Sequence, residues 1–515
     1  MAIWYPNRLL LTILVSFLLR VASNDEGFDV RQHLSTATSY GAAKNVNLGV
    51  HGSTGIPNGC SAIHLNLVSR HGTRSPTKKR IKELDQLAVR LDDLLREAKL
   101  EADKGKLSLQ KIPAWLSGWQ SPWKGRKKGG ELVIKGEEEL HDIGIRTREM
   151  FPELFSDEYH PDIYPIRATQ VPRASASAVA FGIALFSGKG SLGPGMHRAF
   201  SVISESRASD IWLRFHDTCE TYKEFRKSQE PAVEKLKEPI LDEIAVALVK
   251  RFQLNFTRQD IATLWFLCKQ EASLLDIIDQ ACGLFTASEV SLLEWTDDLE
   301  VFLLKGYGKS INYHMGVPLL DDVTQSMEQA ILAKEENHKP GTYEKARLRF
   351  AHAETVIPFT CLLGLFLEGS EFEKMQRDEP LPLPPKPPQD RNWKGSIIAP
   401  FSGNNMLVLY HCPGNDSSGT ISSGGYKSKY FVRVLHNESP VTMSGCGNTD
   451  FCPFELFKEK IVNPHLKHDF NSICSAKLES PKPQSFVRKL LKFFLNPFSL
   501  QSESNPSTLT DKVEL

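Results

Sequence analysis

The 515-residue chain lacks an excess of charge of either sign: Lys and Arg number 62, and so do Asp and Glu. Such a balance gives no bulk attraction for nucleic acid, so any basic patch must act locally, as a site. Beyond the N-terminal leader there is no apolar run long enough to span a membrane, and no transmembrane segment is expected. HExxH and CxxC spacings are missing, which removes the commonest signatures of a metal centre. No internal repeat matches the periods of helical or propeller arrays. What remains is ordinary for a globular protein, with 41% hydrophobic and 24% charged residues. At this length, two domains, or one domain with a large insertion, are expected.

The leader itself is informative. In "MAIWYPNRLLLTILVSFLLRVASNDEG", Arg8 precedes an apolar run from Leu9 to Leu19, Arg20 interrupts it, and small residues follow from Val21 to Ser23. That order reads as a signal peptide over residues 1–23. Sequons at Asn255, Asn415 and Asn437 fit a glycoprotein of the secretory pathway. Nine cysteines in an oxidising compartment imply a disulfide framework with one thiol left over. The last four residues, Lys512-Val-Glu-Leu515, differ by one residue from the Lys-Asp-Glu-Leu retrieval signal. A secreted or vacuolar destination therefore competes with retention in the endoplasmic reticulum.

A polar, loose stretch from Asn24 to about Gly59 precedes "SAIHLNLV", in which Ile63, Leu65 and Leu67 alternate as in a strand. A helix follows, with Ile81, Leu84, Leu87, Ala88, Leu91, Leu94, Leu95 and Ala98 on one face. "DIYPIRATQVPRASASAVAFGIALF" reads as strand, loop and helix, and "KARLRFAHAETVIPFTCLLGLFL" repeats that order. Strand–loop–helix units predict an α/β fold with a mostly parallel sheet covered by helices. Between them, residues 188–340 are almost wholly helical in pattern and are expected to form an inserted cap. The α/β catalytic domain then comprises 24–187 and 341–480, with 481–515 a tail whose "FVRKLLKFFL" packs on the body or stays mobile, with a membrane surface as the alternative. "EPLPLPPKPPQD" must be an extended surface connection. "NNMLVLYHC" and "KYFVRVLH" read as paired strands.

Ligands of such a sheet bind where strand carboxyl ends meet loops. Three of those loops are chemically loaded: "SRHGTRSPTKKR", "RATQVPRAS" and "FAHAET". A phosphate monoester is a dianion whose transfer needs fixed positive charge and an in-line nucleophile. Arg70, Arg74 and Arg173 offer planar forks that stay charged at working pH. His71, flanked by two arginines, would be kept unprotonated by them and could attack phosphorus. Glu354 could protonate the leaving oxygen, with His352 a second phosphate ligand. Singly, each has an ordinary explanation: a strand-end histidine usually packs, and an acid opening a helix usually meets the dipole.

Together, RHG-x-R-x-P-T at a strand end, a later R-A-x-x-x-x-R-A and a distal His-Ala-Glu resemble the histidine acid phosphatases. His-Ala-Glu in place of His-Asp is similar to the multiple inositol polyphosphate phosphatases, including plant phytases of that type. The resemblance runs from about Gly59 to Cys474. It implies a phosphoglycerate-mutase-like fold and hydrolysis of phytate and lower inositol polyphosphates through a phosphohistidine on His71. It implies phosphoryl contacts from Arg70, Arg74, Arg173 and His352, proton transfer by Glu354, and contacts of Thr77, Lys78, Lys79 and Arg80 with the other phosphates. It also implies the disulfides Cys60–Cys412, Cys219–Cys474, Cys268–Cys282 and Cys446–Cys452, leaving Cys361 as a buried thiol. Neither metal nor cofactor is expected, because arginines supply the charge a metal would, and a monomer is expected. Arg167 is left outside the site. Rival readings are a general acid phosphatase or a bisphosphoglycerate phosphatase, and a secreted glycoprotein that binds phosphate without turnover.

Overall fold

The computed structural model describes residues 27–44, 55–105, 109–413, 421–423 and 426–475. The signal peptide, Asn415, the tail 481–515 and its Lys-Val-Glu-Leu end lie outside the described residues. The strands in chain order are β1 (Ser61–Arg70), β2 (Ile166–Ala168), β3 (Ala346–Ala351), β4 (Asn404–His411), β5 (Ile421–Ser423), β6 (Tyr426–Ser428), β7 (Tyr430–His436), β8 (Ser439–Pro440) and β9 (Phe451–Pro453). The longer helices are α1 (Lys78–Asp103), α2 (Ile134–Met150), α3 (Pro172–Leu185), α4 (Glu220–Phe252), α5 (Arg258–Gln270), α6 (Ala287–Lys305), α7 (Val317–Glu335) and α8 (Ala353–Leu362).

Alternation along β1 builds the sheet. Leu65 and Leu67 enter an apolar core with Leu140 and Ile143 of α2, Phe181 of α3, and Leu348 and Phe350 of β3. Between them Asn66 turns to the opposite face, where its Oδ1 accepts from Ser326 Oγ of α7 (3.0 Å) and Arg349 (2.9 Å). Helices thus cover both faces, α2 and α3 on the apolar one, α7 and α8 on the more polar one, where Asn405 Nδ2 donates to Thr360 Oγ1 (2.8 Å). The sheet order is β2–β3–β1–β4–β7–β8, with β9 on β7. It is mixed: β2, β3 and β1 run parallel, and β4 is antiparallel to both β1 and β7. β5 and β6 form a separate hairpin.

The α1 stripe is buried at Ile81, Leu84, Leu87, Ala88, Leu91, Leu94 and Ala98, whereas Leu95 at its edge is only partly buried. Four disulfides join Cys60 to Cys412, Cys219 to Cys474, Cys268 to Cys282 and Cys446 to Cys452; Cys361 is a buried free thiol.

Two expectations are corrected. The stretch after Asn24 is not uniformly loose: from Val30 to Lys44 it forms short helical turns, because Leu34 and Tyr40, 1% and 3% exposed, anchor it in the protein. Asn437 is buried, its Nδ2 donating to Ile397 O (2.7 Å) and its Oδ1 accepting from Asn404 N (3.0 Å), so its amide is not open to a glycan. Asn255 is exposed.

One close approach fixes the loop after β1. A Cβ on Gly136, in the first turn of α2, would lie 2.3 Å from Thr73 O and 2.6 Å from Thr73 N. In an unobstructed helix, Gly→Ala gains about 1 kcal/mol. Here backbone atoms must move, and overpacking of this kind costs about 1–3 kcal/mol. Gly136→Ala is therefore expected to destabilise by up to about 2 kcal/mol in urea unfolding, the net of those two terms. It should also lower turnover, since Thr73 follows His71 by two residues. Unchanged or increased stability would show that the loop yields freely.

Candidate active site

Parallel pairing of β1 with β3 sets Arg70 opposite Ala351, and His71 N donates to Ala351 O (3.0 Å). His71 and His352 therefore leave adjacent strand ends side by side, their ring centroids 5.4 Å apart. β2 delivers Thr169 alongside, its N bonded to Phe350 O (3.0 Å). On the other flank Arg70 N donates to Gly403 O (2.8 Å) and Ser402 N to His71 O (3.1 Å). The carboxylate of Glu139 on α2 then fixes this loop, accepting from Thr73 N (2.9 Å), Thr73 Oγ1 (2.8 Å), Ser402 Oγ (2.9 Å) and Tyr40 N (3.0 Å).

The tautomers follow from the partners. His71 Nδ1 lies 2.9 Å from Gly72 O, and a carbonyl only accepts, so Nδ1 carries the hydrogen and Nε2 keeps a free lone pair. Burial and the cations Arg70 and Arg173 hold the His71 ring well below its usual range. His352 Nε2 lies 2.9 Å from an Arg214 N–H, which only donates. An Arg173 N–H, also only a donor, lies farther off, 3.4 Å from Nδ1; a neutral ring accepts at one nitrogen, so the shorter contact takes the lone pair and the Nδ1 hydrogen faces Arg173 without bonding to it. Burial and Arg173 keep His352 neutral too.

The arginines are held without being neutralised. Arg70 donates to Thr36 O (2.5 Å) and Ala399 O (2.7 Å) and stacks over Phe401 at 4.4 Å. Arg74 donates to Ser75 O (2.9 Å), and Arg173 to Gly130 O (3.4 Å). All these acceptors are backbone carbonyls. Arginines elsewhere meet carboxylates: Arg349 with Asp322, Arg391 with Asp298, Arg433 with Asp450. Burial and mutual repulsion pull Arg70 down to about 9 and Arg173 to about 10. The buried Nε atoms of Arg70, Arg173 and Arg214 have no acceptor among the described residues. An oxyanion with several lone pairs suits such a cluster.

Glu354 stands in the first turn of α8 and pairs with Lys305 at the end of α6, Nζ to Oε1 3.0 Å. Although burial opposes ionisation, Lys305 foremost holds this carboxyl well below its usual range. Arg214, His216, Lys305, Thr169, Glu139 and Phe401 were not anticipated; no periodicity or spacing marks them. Thr77, Lys78, Lys79 and Arg80 are exposed where α1 begins. Arg80 is partly engaged, with Glu83 at 2.6 Å and Phe266 under its guanidinium at 4.7 Å. Arg167 lies over Trp212 (5.6 Å). Ser75 Oγ accepts from Gly130 N (3.1 Å) and Glu131 N (3.2 Å), docking a second basic loop, Lys124–Lys128, beside the first. Among the described residues, His314, Asp378 and His468 form the one group that could hold a metal. The rings of His314 and His468 stack at 3.7 Å, however, and none of the three touches His71, His352 or Glu354.

Comparison with known proteins gives the family and the fold. The profile of the histidine phosphatase superfamily (branch 2) matches residues 63–437. Multiple inositol polyphosphate phosphatase 1 of Gallus gallus is 26% identical over 490 residues, 92% of this chain and 97% of that one. A phytase from D. castellii superposes with a TM-score of 0.62 at 18% identity, over 88% of this chain and 89% of the other. A Bifidobacterium longum multiple inositol polyphosphate phosphatase in complex with inositol hexasulfate gives 0.57 at 18% identity, over 84% and 98%.

The Lys305–Glu354 pair has a pH signature. Replacing Lys305 with Met removes the largest influence holding the Glu354 carboxyl low, so the acid keeps its proton to higher pH. Where turnover falls as this acid deprotonates, that limb of the kcat/KM profile should move to higher pH in Lys305→Met. An unmoved limb would assign it to another group.

Proposed function

The chain belongs to branch 2 of the histidine phosphatase superfamily, and on that footing we propose that it hydrolyses phytate and lower inositol polyphosphates through a phosphohistidine. The observation that carries the reading is the trio Arg70, Arg74 and Arg173, each oriented by carbonyls and paired with no carboxylate, around the free Nε2 of His71. A phosphoryl group brings the negative charge that this trio leaves unbalanced.

In the first step His71 Nε2 attacks phosphorus in line. Arg70, Arg74, Arg173 and the Nδ1–H of His352 hold the equatorial oxygens while the ester bond breaks. The departing inositol oxygen takes a proton from the Glu354 carboxyl. In the ligand-free protein that carboxyl is held ionised, chiefly by Lys305. An anionic substrate offsets those cations and raises the carboxyl's proton affinity in the complex. In the second step the Glu354 carboxylate takes a proton from water, which attacks the phosphohistidine and releases inorganic phosphate with the histidine restored.

Residues 188–340 act in this proposal as a cap on the catalytic domain of 24–187 and 341–480. It would contribute Arg214, His216 and Lys305 to the site. Thr77, Lys78, Lys79 and Arg80 would meet the phosphates that do not react, chiefly through the two lysines because Arg80 is already engaged. Four disulfides and the leader support a protein of the secretory pathway, acting as a monomer, either secreted, vacuolar or retained through Lys-Val-Glu-Leu.

The test is product analysis of phytate incubated with the purified protein, which should show successive loss of phosphates. His71→Ala should lower turnover by roughly four to six orders of magnitude, the scale of losing a nucleophile elsewhere. A folded variant with near-normal activity would end the covalent mechanism. The exposed lysines give a separate expectation. Lys78→Ala with Lys79→Ala should raise KM for phytate by about 10-fold, as two solvent-screened contacts allow. It should leave p-nitrophenyl phosphate nearly unaffected. Equal losses on both substrates would make the pair structural.

A further inference from the structure

Arg70 is placed from a distance, by two carboxylates on α6. Its guanidinium rests on Thr36 O and Ala399 O, which belong to two segments far apart in sequence: the turn Ser35–Ala37 and the short helix Gly395–Ile398, which Ala399 ends. One oxygen, Asp298 Oδ1, accepts from both segments, from Ser35 Oγ (2.7 Å) and from Gly395 N (2.8 Å). One turn earlier on α6, Glu294 repeats the bridge. Its Oε1 accepts from Ser396 Oγ (2.7 Å), and its Oε2 lies 3.0 Å from His33 Nδ1. Arg391 meets both acids, at 2.7 Å from Asp298 Oδ2 and 3.1 Å from Glu294 Oε2.

We propose that Asp298, seconded by Glu294, is a positioning residue for phosphoryl transfer: it clasps the two segments whose carbonyls aim Arg70 at the transferred group. This rests on the phosphatase reading above. Both acids are at most 1% exposed and share a single arginine, an arrangement whose desolvation is costly and which stability alone does not recommend. The fit is close as well: a Cβ on Gly395 would come within 2.4 Å of Ser35 Oγ and 3.0 Å of Asp298 Oδ1. Arg70 cannot be held by a carboxylate of its own without losing the charge it must present. The acids therefore stand one residue back and act through carbonyls.

The experiment uses the full chain and orthovanadate, a mimic of the pentavalent phosphoryl group, with Asp298→Asn, Ser35→Ala and Gly395→Ala made in both the wild-type and Arg70→Ala backgrounds. A small displacement of a catalytic group costs up to about 100-fold. Asp298→Asn and Gly395→Ala should therefore weaken vanadate binding and lower kcat/KM for phytate by about 10- to 100-fold. In the Arg70→Ala background the same changes should alter vanadate affinity by less than about 2-fold, because what they act through is gone. Ser35→Ala and Gly395→Ala carry no charge change and decide the matter if Asp298→Asn does not fold. Equal losses in both backgrounds, or wild-type vanadate affinity in the folded variants, would overturn the inference. A wild-type protein that neither binds vanadate nor hydrolyses phytate would overturn the functional reading itself, and the inference with it.

Discussion

For the proposed chemistry Arg70, Arg74 and Arg173 must be fixed without being neutralised, and much of the surrounding structure answers to that constraint. A buried arginine is ordinarily matched by a carboxylate, as Arg349 is by Asp322. Around His71 that solution would defeat the purpose, since a paired guanidinium has little attraction left for phosphate. Carbonyls at Thr36, Ser75, Gly130 and Ala399 orient the forks and leave their charge in place. The cost appears as burial of all three charges and, for Arg70 and Arg173, as repulsion from neighbouring arginines, visible in the lowered proton affinity of Arg70, Arg74 and Arg173. Covalent and packing restraints elsewhere, including the Cys60–Cys412 bridge at the opposite end of β1, resist the loosening that such repulsion favours.

Strand register does the rest of the assembly. The pairing of Arg70 with Ala351 is what sets His71 beside His352, and a slip of one residue would turn one of them to the other face of the sheet. Immediately after His352 the chain enters α8, so Glu354 falls in the first helical turn. There the helix dipole favours its ionised form, as the Lys305 pair does. The ordinary role of an acid at a helix start and its chemical role are therefore compatible. The first keeps the carboxylate defined in the free protein, and the second needs the charge balance that only an anion supplies.

What was legible in the sequence is what repeats or stays local. Alternation marked β1 and the eight-position stripe marked α1, and the charged loops after Arg70, Ala168 and Ala351 could be read because each follows directly on a strand end. Arg214, Lys305 and Glu139 could not. Their roles depend on contacts with His352, Glu354 and Thr73, which are 138, 49 and 66 residues away in the chain. Nothing in "WLRFHDT" or "FLLKGYG" distinguishes a site cation from a solvated one. Asn437 shows the converse error. Its sequon is a local pattern, but its backbone adopts φ 48° and its amide closes a buried bridge between Asn404 and Ile397, facts that only the folded sheet supplies.

Helix α6 reaches both sides of the site. Glu294 and Asp298 on it hold the segments that aim Arg70, and Lys305 at its end holds Glu354. Asp298 and Lys305 are seven residues apart, about two turns or 10 Å along one rod. The groups that the proposed mechanism sets on the two sides of the scissile bond, Arg70 beside the nucleophile and Glu354 at the leaving oxygen, thus both depend on contacts from α6. Contacts from this one helix therefore bear on the mutual spacing of Arg70, at the end of β1, and Glu354, on α8. An in-line displacement demands that spacing above all, because attack and departure occur on opposite sides of one phosphorus atom.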